Sequence, residues 1–431
     1  MKRTIITTAV AGLALVTLTG CGGAAPTTTG GSDPSENAGG GSDGGAQQLT
    51  IWNWGDADEA AAAYTEDVKA AFAEMHPDVT VEIVNQPFDQ YYTLLGSAIE
   101  AGTGPDLALY NGGTQIKSRA SSLVPVTDEL ADLRDQLAGW PAFEEGGETY
   151  SAPTFLQGFP IYFNKALFEE AGLDPETPPA TWDDLTSSCQ AILDKTDASC
   201  FALGNKEGLG IEFFLSGFGS GIFTPEEYDA WIGGERDWTS EHATQVLQMW
   251  ADSSADGWYN DGANSTAMFN DSFDIFSAGD AAMVIGLMSG TAHWKQFDDF
   301  LGEDLGFMMP PATNDGTTVA LPAEGGIGYG ILNEEKKDLG VDWIRATVDH
   351  DALAAYSLAG GQITSDTTIT LDTDIASANE IVAELPGSKP LLHTALGADE
   401  LDLLHRLGQQ LLIGDATVAD ATAQLADAAK G

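Results

Sequence analysis

From residue 49 onward the apolar positions switch repeatedly between a period of two and a helical period. Leu49-Thr50-Ile51-Trp52-Asn53-Trp54 reads as a strand, followed by the loop Gly55-Asp56-Ala57-Asp58. Tyr64, Val68, Phe72 and Met75 then recur at helical spacing until Pro77 stops the helix. Val79, Val81 and Ile83 alternate with polar or acidic residues, as in a strand with one covered face. A helix is predicted over 91–101, broken by Gly102-Thr103-Gly104-Pro105, and a short buried strand over 106–110. The same alternation predicts a strand over 161–164 and a short helix over 165–171, ended by Gly172. Thr181 opens a helix with Asp184 three residues on, a capping-box spacing, and Leu185, Cys189 and Ile192 form its inner face. Ser240 caps a helix carrying Val246, Leu247 and Trp250. A helix over 269–278, a strand over 281–287 and a Gly-rich strand over 325–332 follow, and helices dominate from Lys336. There is no internal repeat. Strands alternating with helices predict an α/β fold whose sheets are largely parallel and covered by helices.

The first 47 residues lack this alternation. Lys2 and Arg3 precede an uncharged run over 5–19, shorter than the roughly 20 apolar residues a bilayer span needs. Positive, apolar and small residues in that order predict a secretory signal over 1–20. The run ends in Leu18-Thr19-Gly20-Cys21, which resembles the bacterial lipobox. That resemblance implies that Cys21 becomes the lipidated (palmitate-bearing) first residue of the mature chain. The alternative is an ordinary signal with an incidental Cys. Residues 21–47 continue as a Gly/Ser/Thr-rich tether, with too little apolar surface to offset the entropy of ordering it. A flexible tether of that length spans roughly 25–30 Å.

About 380 residues remain, long for one hydrophobic core, so two lobes are expected. The formal net charge of -49 repels nucleic acid and argues against a phosphate-binding surface. Cys189 and Cys200 lie eleven residues apart; in an exported protein this favours a disulfide over a metal site, the alternative being two buried thiols. The six His are scattered and no H-E-x-x-H occurs, so neither metal nor cofactor is expected.

Four stretches resemble the extracellular solute-binding proteins of sugar ABC transporters, akin to maltose-binding proteins. They are Ile51-Trp52-Asn53-Trp54-Gly55 with Met75-His76-Pro77-Asp78-Val79; Gly104-Pro105-Asp106-Leu107; Tyr150 to Pro153 through Tyr162 to Lys165, with Thr181 to Leu185; and Phe276 to Met283 followed by Trp294. The resemblance implies a two-lobed periplasmic-binding-protein-like fold of type II, each lobe a mixed, mostly parallel sheet. Lobe 1 would comprise 48–153 and 288–330, and lobe 2 would comprise 154–287 and 331–431. The chain would cross between lobes near Ala152, Leu287 and Gly330.

Carried over by the same resemblance, Trp54 and Asp56 lie in the loop where the family contacts sugar. Tyr110 matches an aromatic stacking position and Asn111 follows it; Gly112-Gly113 replaces larger polar residues, so contacts there would come from backbone. Gln157 falls where the family has a carboxylate, a departure that weakens any carry-over of maltose chemistry. Glu212 and Phe213 match a carboxylate–aromatic pair, with Trp231 as a lid. Ser289 and Trp294 follow a hinge strand; Glu324, Gly325 and Gly326 precede the next; Gln362, after Gly361, lies in a late loop near the ligand. Trp182, at a helix start, is read as structural. The implied function is capture of a mono- or oligosaccharide by a monomeric, membrane-anchored protein without catalytic residues. It would hand the ligand to a permease and ATPase on other chains, since no P-loop is present. The alternatives are a binding protein for a peptide or polyamine and a cell-surface glycoside hydrolase.

Overall fold

The computed structural model describes residues 47–430, apart from 55–58, 270, 289–292, 315, 370 and 372. Cys21, the signal and most of the tether lie outside the described residues, as do Asp56 and Ser289. Among the described residues eleven strands run in chain order: β1 (Gln47–Asn53), β2 (Val79–Asn85), β3 (Leu107–Asn111), β4 (Glu144–Glu145), β5 (Glu148–Thr149), β6 (Phe155–Gly158), β7 (Ile161–Asn164), β8 (Ser199–Ala202), β9 (Ala281–Ile285), β10 (Leu305–Met308) and β11 (Ala323–Ile331). The first sheet has the order β2-β1-β3-β11-β6, the second β10-β7-β9-β8, and β4 and β5 form a small hairpin.

In the first sheet β1 is parallel to β2 and β3, while β11 runs antiparallel to both β3 and β6. The run Leu107-Ala108-Leu109-Tyr110 is continuously apolar because β3 is covered on both faces. Leu107 and Leu109 enter one core with Val68, Phe72, Trp343 and Leu353; Ala108 and Tyr110 enter another with Tyr91, Leu95 and Phe143. In the second sheet Met283 faces a core built from Phe214, Phe218, Trp250 and Leu404, while Val284 faces Tyr162, Phe273, Phe276 and Phe297. Cys189 and Cys200 are joined in a disulfide that ties the helix Trp182–Lys195 to β8. Thr181 and Ser240 cap their helices through the backbone N–H groups of Asp184 and Ala243.

The sheets divide the chain differently from the boundaries expected above. β6 belongs to the first sheet and β10 to the second, where it pairs with β7 from Leu305 opposite Asn164 to Met308 opposite Ile161. The helix Lys337–Thr347 returns to the sheet that β11 has just left, placing Trp343 and Ile344 in the first lobe's core. The crossings are therefore the β6–β7 link, the segment 309–322 and the stretch beyond the helix His350–Gly360, rather than points near Ala152, Leu287 and Gly330. A strand's sheet is decided by its distant partner, which local periodicity does not reveal.

Candidate functional site

The parallel strands β1 and β3 deliver their C-terminal ends to one edge of the first lobe, the edge where ligands bind in open α/β sheets. Trp54 follows β1, and its N–H donates to Asn53 Oδ1 at 2.7 Å. Its ring meets those of Phe88 and Tyr91 edge-on, at 5.7 and 5.1 Å between centroids, and tilts against Tyr92. Phe88 is 51% exposed, so this aromatic group has a wet outer face. At the end of β3, Asn111 donates its N–H to Tyr92 Oη at 2.9 Å, and the Arg119 guanidinium lies 4.8 Å over the Tyr92 ring. Tyr110 is different: it is fully buried and packs beside Gly330, a core position rather than a stacking surface.

Gly112 and Gly113 offer no backbone donors to a ligand. Gly112 N–H is taken by Gly326 O and Gly113 N–H by Ala142 O, both at 2.8 Å. Gly113 has φ +68°, and any side chain there would run into Thr394. Gly325 and Gly326 likewise serve close approach of chain to chain: Gly325 packs against the Gly139 carbonyl and Gly326 against Gln157.

The antiparallel register puts Glu324 of β11 opposite Gln157 of β6, so the two side chains share one face of the crossing strands. Glu324 accepts the Leu391 N–H at 3.1 Å, with the Thr394 hydroxyl and Lys117 nearby. Burial pushes its carboxyl up to about 7, against the pull of Thr394, Lys117 and the Leu391 N–H.

From the second lobe, the helix Gly210–Ile222 brings Glu212 and Phe213 to the same neighbourhood. Phe213 stacks on Phe159 at 4.0 Å and 14°, and Phe159 stacks in turn on the His393 ring at 5.4 Å and 9°. Glu212 accepts from His405 Nε2 at 2.7 Å and lies 4.0 Å from His393 Nε2. His393 Nδ1 is 2.9 Å from Ser216 Oγ. Burial raises the Glu212 carboxyl, but the two imidazoles outweigh it and hold it below its ordinary value. Burial lowers His393; His405 is also disfavoured by burial, yet its bond to Glu212 carries it above its ordinary value.

Two expected positions fall elsewhere. Trp294 is only 2% exposed, and its ring covers Gly361 at the end of a first-lobe helix, so no face is open to a ligand. Trp231 is buried and donates its indole N–H to Leu392 O at 3.0 Å, which makes it a core residue. Gln362 is fully buried and, with Glu324, lines a cavity of about 410 Å³ between Leu156, Ala323 and Leu385. Phe88, Tyr92, Lys117, Phe159, His393 and Thr394 were not anticipated from the sequence. Phe159 could have been, since it follows Gln157 on a crossing; the others lie in helices or turns whose pattern carries no such signal. Among the described residues there is no group of three or more His, Cys, Asp or Glu placed to hold a metal ion, and no helix is long and apolar enough to cross a membrane.

The groups described are the amides of Asn111 and Gln157, the carboxyls of Glu212 and Glu324, and aromatic rings. That set suits a neutral ligand with hydroxyls and flat apolar faces. Residues 54–347 match the family profile described as bacterial extracellular solute-binding protein. An arabinooligosaccharide-binding protein of Halalkalibacterium halodurans is 28% identical over 191 residues, 42% of this chain and 41% of that protein. An sn-glycerol-3-phosphate-binding periplasmic protein of Yersinia pestis is 27% identical over 182 residues, 39% of this chain and 41% of that protein. The chain thus matches about two fifths of the length of these curated relatives. Among solved structures, a chitin oligosaccharide binding protein superposes with a TM-score of 0.77, at 19% identity, over 90% of this chain and 100% of its own. This likeness is one of fold.

Proposed function

Because the chain belongs to the bacterial extracellular solute-binding protein family, we propose that it captures a mono- or oligosaccharide in the cleft between its lobes and passes it to a membrane permease on another chain. The observation that carries this reading is the aromatic group Trp54, Phe88 and Tyr92 at the edge where Asn111 ends β3. Flat rings pack on the apolar faces of a sugar, and amide and carboxyl groups such as Asn111, Gln157 and Glu324 take its hydroxyls. The net charge of -49 favours a neutral ligand over a phosphorylated one. The relative named for arabinooligosaccharides supports the same class.

Capture rather than catalysis is the role proposed, with the protein acting as a monomer, without a cofactor and without nucleic acid. The Leu18-Thr19-Gly20-Cys21 motif supports anchoring by a lipid on Cys21 at the extracytoplasmic face, which a shift of the Cys21→Ala protein from membranes to the medium would test. Titration calorimetry with maltotriose, xylotriose, arabinotriose and diacetylchitobiose tests the ligand class. Binding of at least one with a rise in melting temperature is expected. Folded protein that gives heat with none of them, but with a peptide or polyamine, would overturn the sugar reading.

A further inference from the structure

The turn that carries His393 and Thr394 belongs firmly to the second lobe. Trp231 Nε1 donates to Leu392 O at 3.0 Å, Tyr228 Oη to Pro390 O at 2.6 Å, and the His393 N–H to Ser216 Oγ at 3.1 Å. Leu392 and Leu396 are buried in that lobe's core. Yet the same turn is held from the other side by the first lobe. Thr114, in the short helix that follows β3 and Gly113, places its hydroxyl 2.6 Å from Leu396 O and 3.1 Å from Thr394 O. These carbonyls lie at the end of the 3-10 helix Leu392–Ala395, where backbone acceptors lack partners within the helix. One hydroxyl proton serves one acceptor at a time, and the shorter distance assigns it to Leu396.

Three features set this contact apart from incidental touching. Thr114 is 7% exposed, so the hydroxyl bonds where water is excluded. Gly113 carries no side chain at the point where Thr394 packs against it, so the fit needs glycine there for space as well as for its φ of +68°. The partners are 282 residues apart in the chain, and Thr114 lies on none of the segments by which the chain crosses between lobes.

We propose that Thr114 and the 394–396 carbonyls form a latch that holds the two lobes closed over the cleft, which makes Thr114 a positioning residue for ligand retention. The identity of the retained solute rests on the capture reading above; the latch itself does not. A buried hydroxyl–carbonyl bond is strong enough to bias closure and weak enough to release, because both groups find water when the lobes part.

The test compares wild type with Thr114→Val, which keeps the shape and removes the donor, and Thr114→Ser, which keeps the donor. Dyes on cysteines introduced at Ala70 and Gln424, both exposed and one in each lobe, report the interlobe distance in the full mature protein. The ligand-free Val variant is expected to shift to longer distances, with the closed-to-open ratio falling roughly two- to tenfold, and Ser is expected to match wild type. A sugar that binds is expected to leave the Val variant faster by a similar factor with little change in association. Thr114→Ala serves if the Val variant loses its cooperative melt. Ligand-free distances identical across wild type, Val and Ala would overturn the latch. Failure of every sugar to bind would overturn the sugar reading alone, because the ligand-free comparison stands without it.

Discussion

Glu212 and His405, 193 residues apart in the chain, are joined by a 2.7 Å hydrogen bond in the second lobe, with His393 on the other side of the carboxylate. The pair predicts a pH window of stability. His405 is raised above 6.5 when folded, so its contribution is full below that value and fades as the pH rises through its folded pKa. Glu212 is lowered below 4.5, so its contribution is present above that value and fades as the pH falls through its folded pKa. His393 is lowered, so acidification below 6.5 favours the unfolded chain, which takes up that proton more readily. Glu212→Gln is therefore expected to cost most between about pH 5 and 6.5, by roughly 3 kcal/mol for a broken buried pair. Melting curves of both proteins from pH 4 to 9 check this; a difference that keeps growing toward pH 9 would contradict it.

Glu324 has the opposite sign. Its carboxyl titrates near 7 in the fold against 4.5 for the free group, so the folded protein holds a proton that the unfolded chain releases in that interval. Its contribution to stability falls as the pH rises from about 4.5 to 7. Glu324→Gln is expected to match wild type at pH 4 and to melt higher at pH 8, read by differential scanning calorimetry. Equal melting temperatures at pH 8 would refute the raised carboxyl.

Two tryptophans separate binding from folding. Trp54 is half-buried beside the exposed Phe88, whereas Trp294 is buried against Gly361. Trp54→Ala is expected to weaken sugar binding about tenfold. Trp294→Ala is expected to cost about 3–5 kcal/mol of stability, as truncation of a buried aromatic does. Urea unfolding and calorimetry on the same two variants distinguish the roles, and a Trp294→Ala protein as stable as wild type would show the buried placement to be wrong.

The disulfide between Cys189 and Cys200 closes a short loop in the second lobe's core. Replacing both cysteines by alanine is expected to lower stability by about 2–3 kcal/mol, read from urea unfolding of the oxidised protein and the variant. A reductant should lower the melting temperature of wild type and leave the variant unchanged.

Much of this architecture was legible along the chain. The strands near 49–54, 79–83 and 106–110, the caps Thr181 and Ser240, and the favoured Cys189–Cys200 pairing all follow from patterns a few residues long. The strands β6, β8 and β10 were missed; like β7, which was found, each is only four residues long, so a run of that length can be read either way. The lobe boundaries were missed for a different reason: pairing Leu305 with Asn164 is a fact about residues 141 positions apart. At the site, Gln157 and Glu324 do come together on the crossing strands. Trp294, Tyr110 and Trp231 were drawn into cores, since an aromatic side chain in a sequence reads the same whether it lines a cleft or fills a lobe. His393 and Thr394 gave no signal because their turn acquires meaning only where Thr114 and Glu324 meet it.

β11 lies between β3 and β6 in the first sheet, although some 165 residues separate it from β6 along the chain. A nascent chain that has produced β1, β2, β3 and β6 still holds a sheet with a gap at its centre. That gap stays open until residues 323–331 arrive, after all four strands of the second sheet have been made. The first sheet is therefore not complete in any fragment that stops before residue 331, and truncation there would leave two open strand edges facing each other. Contacts of such long range also make folding slow. The sheet order alone thus defers completion of the first sheet until about three-quarters of the chain has been made.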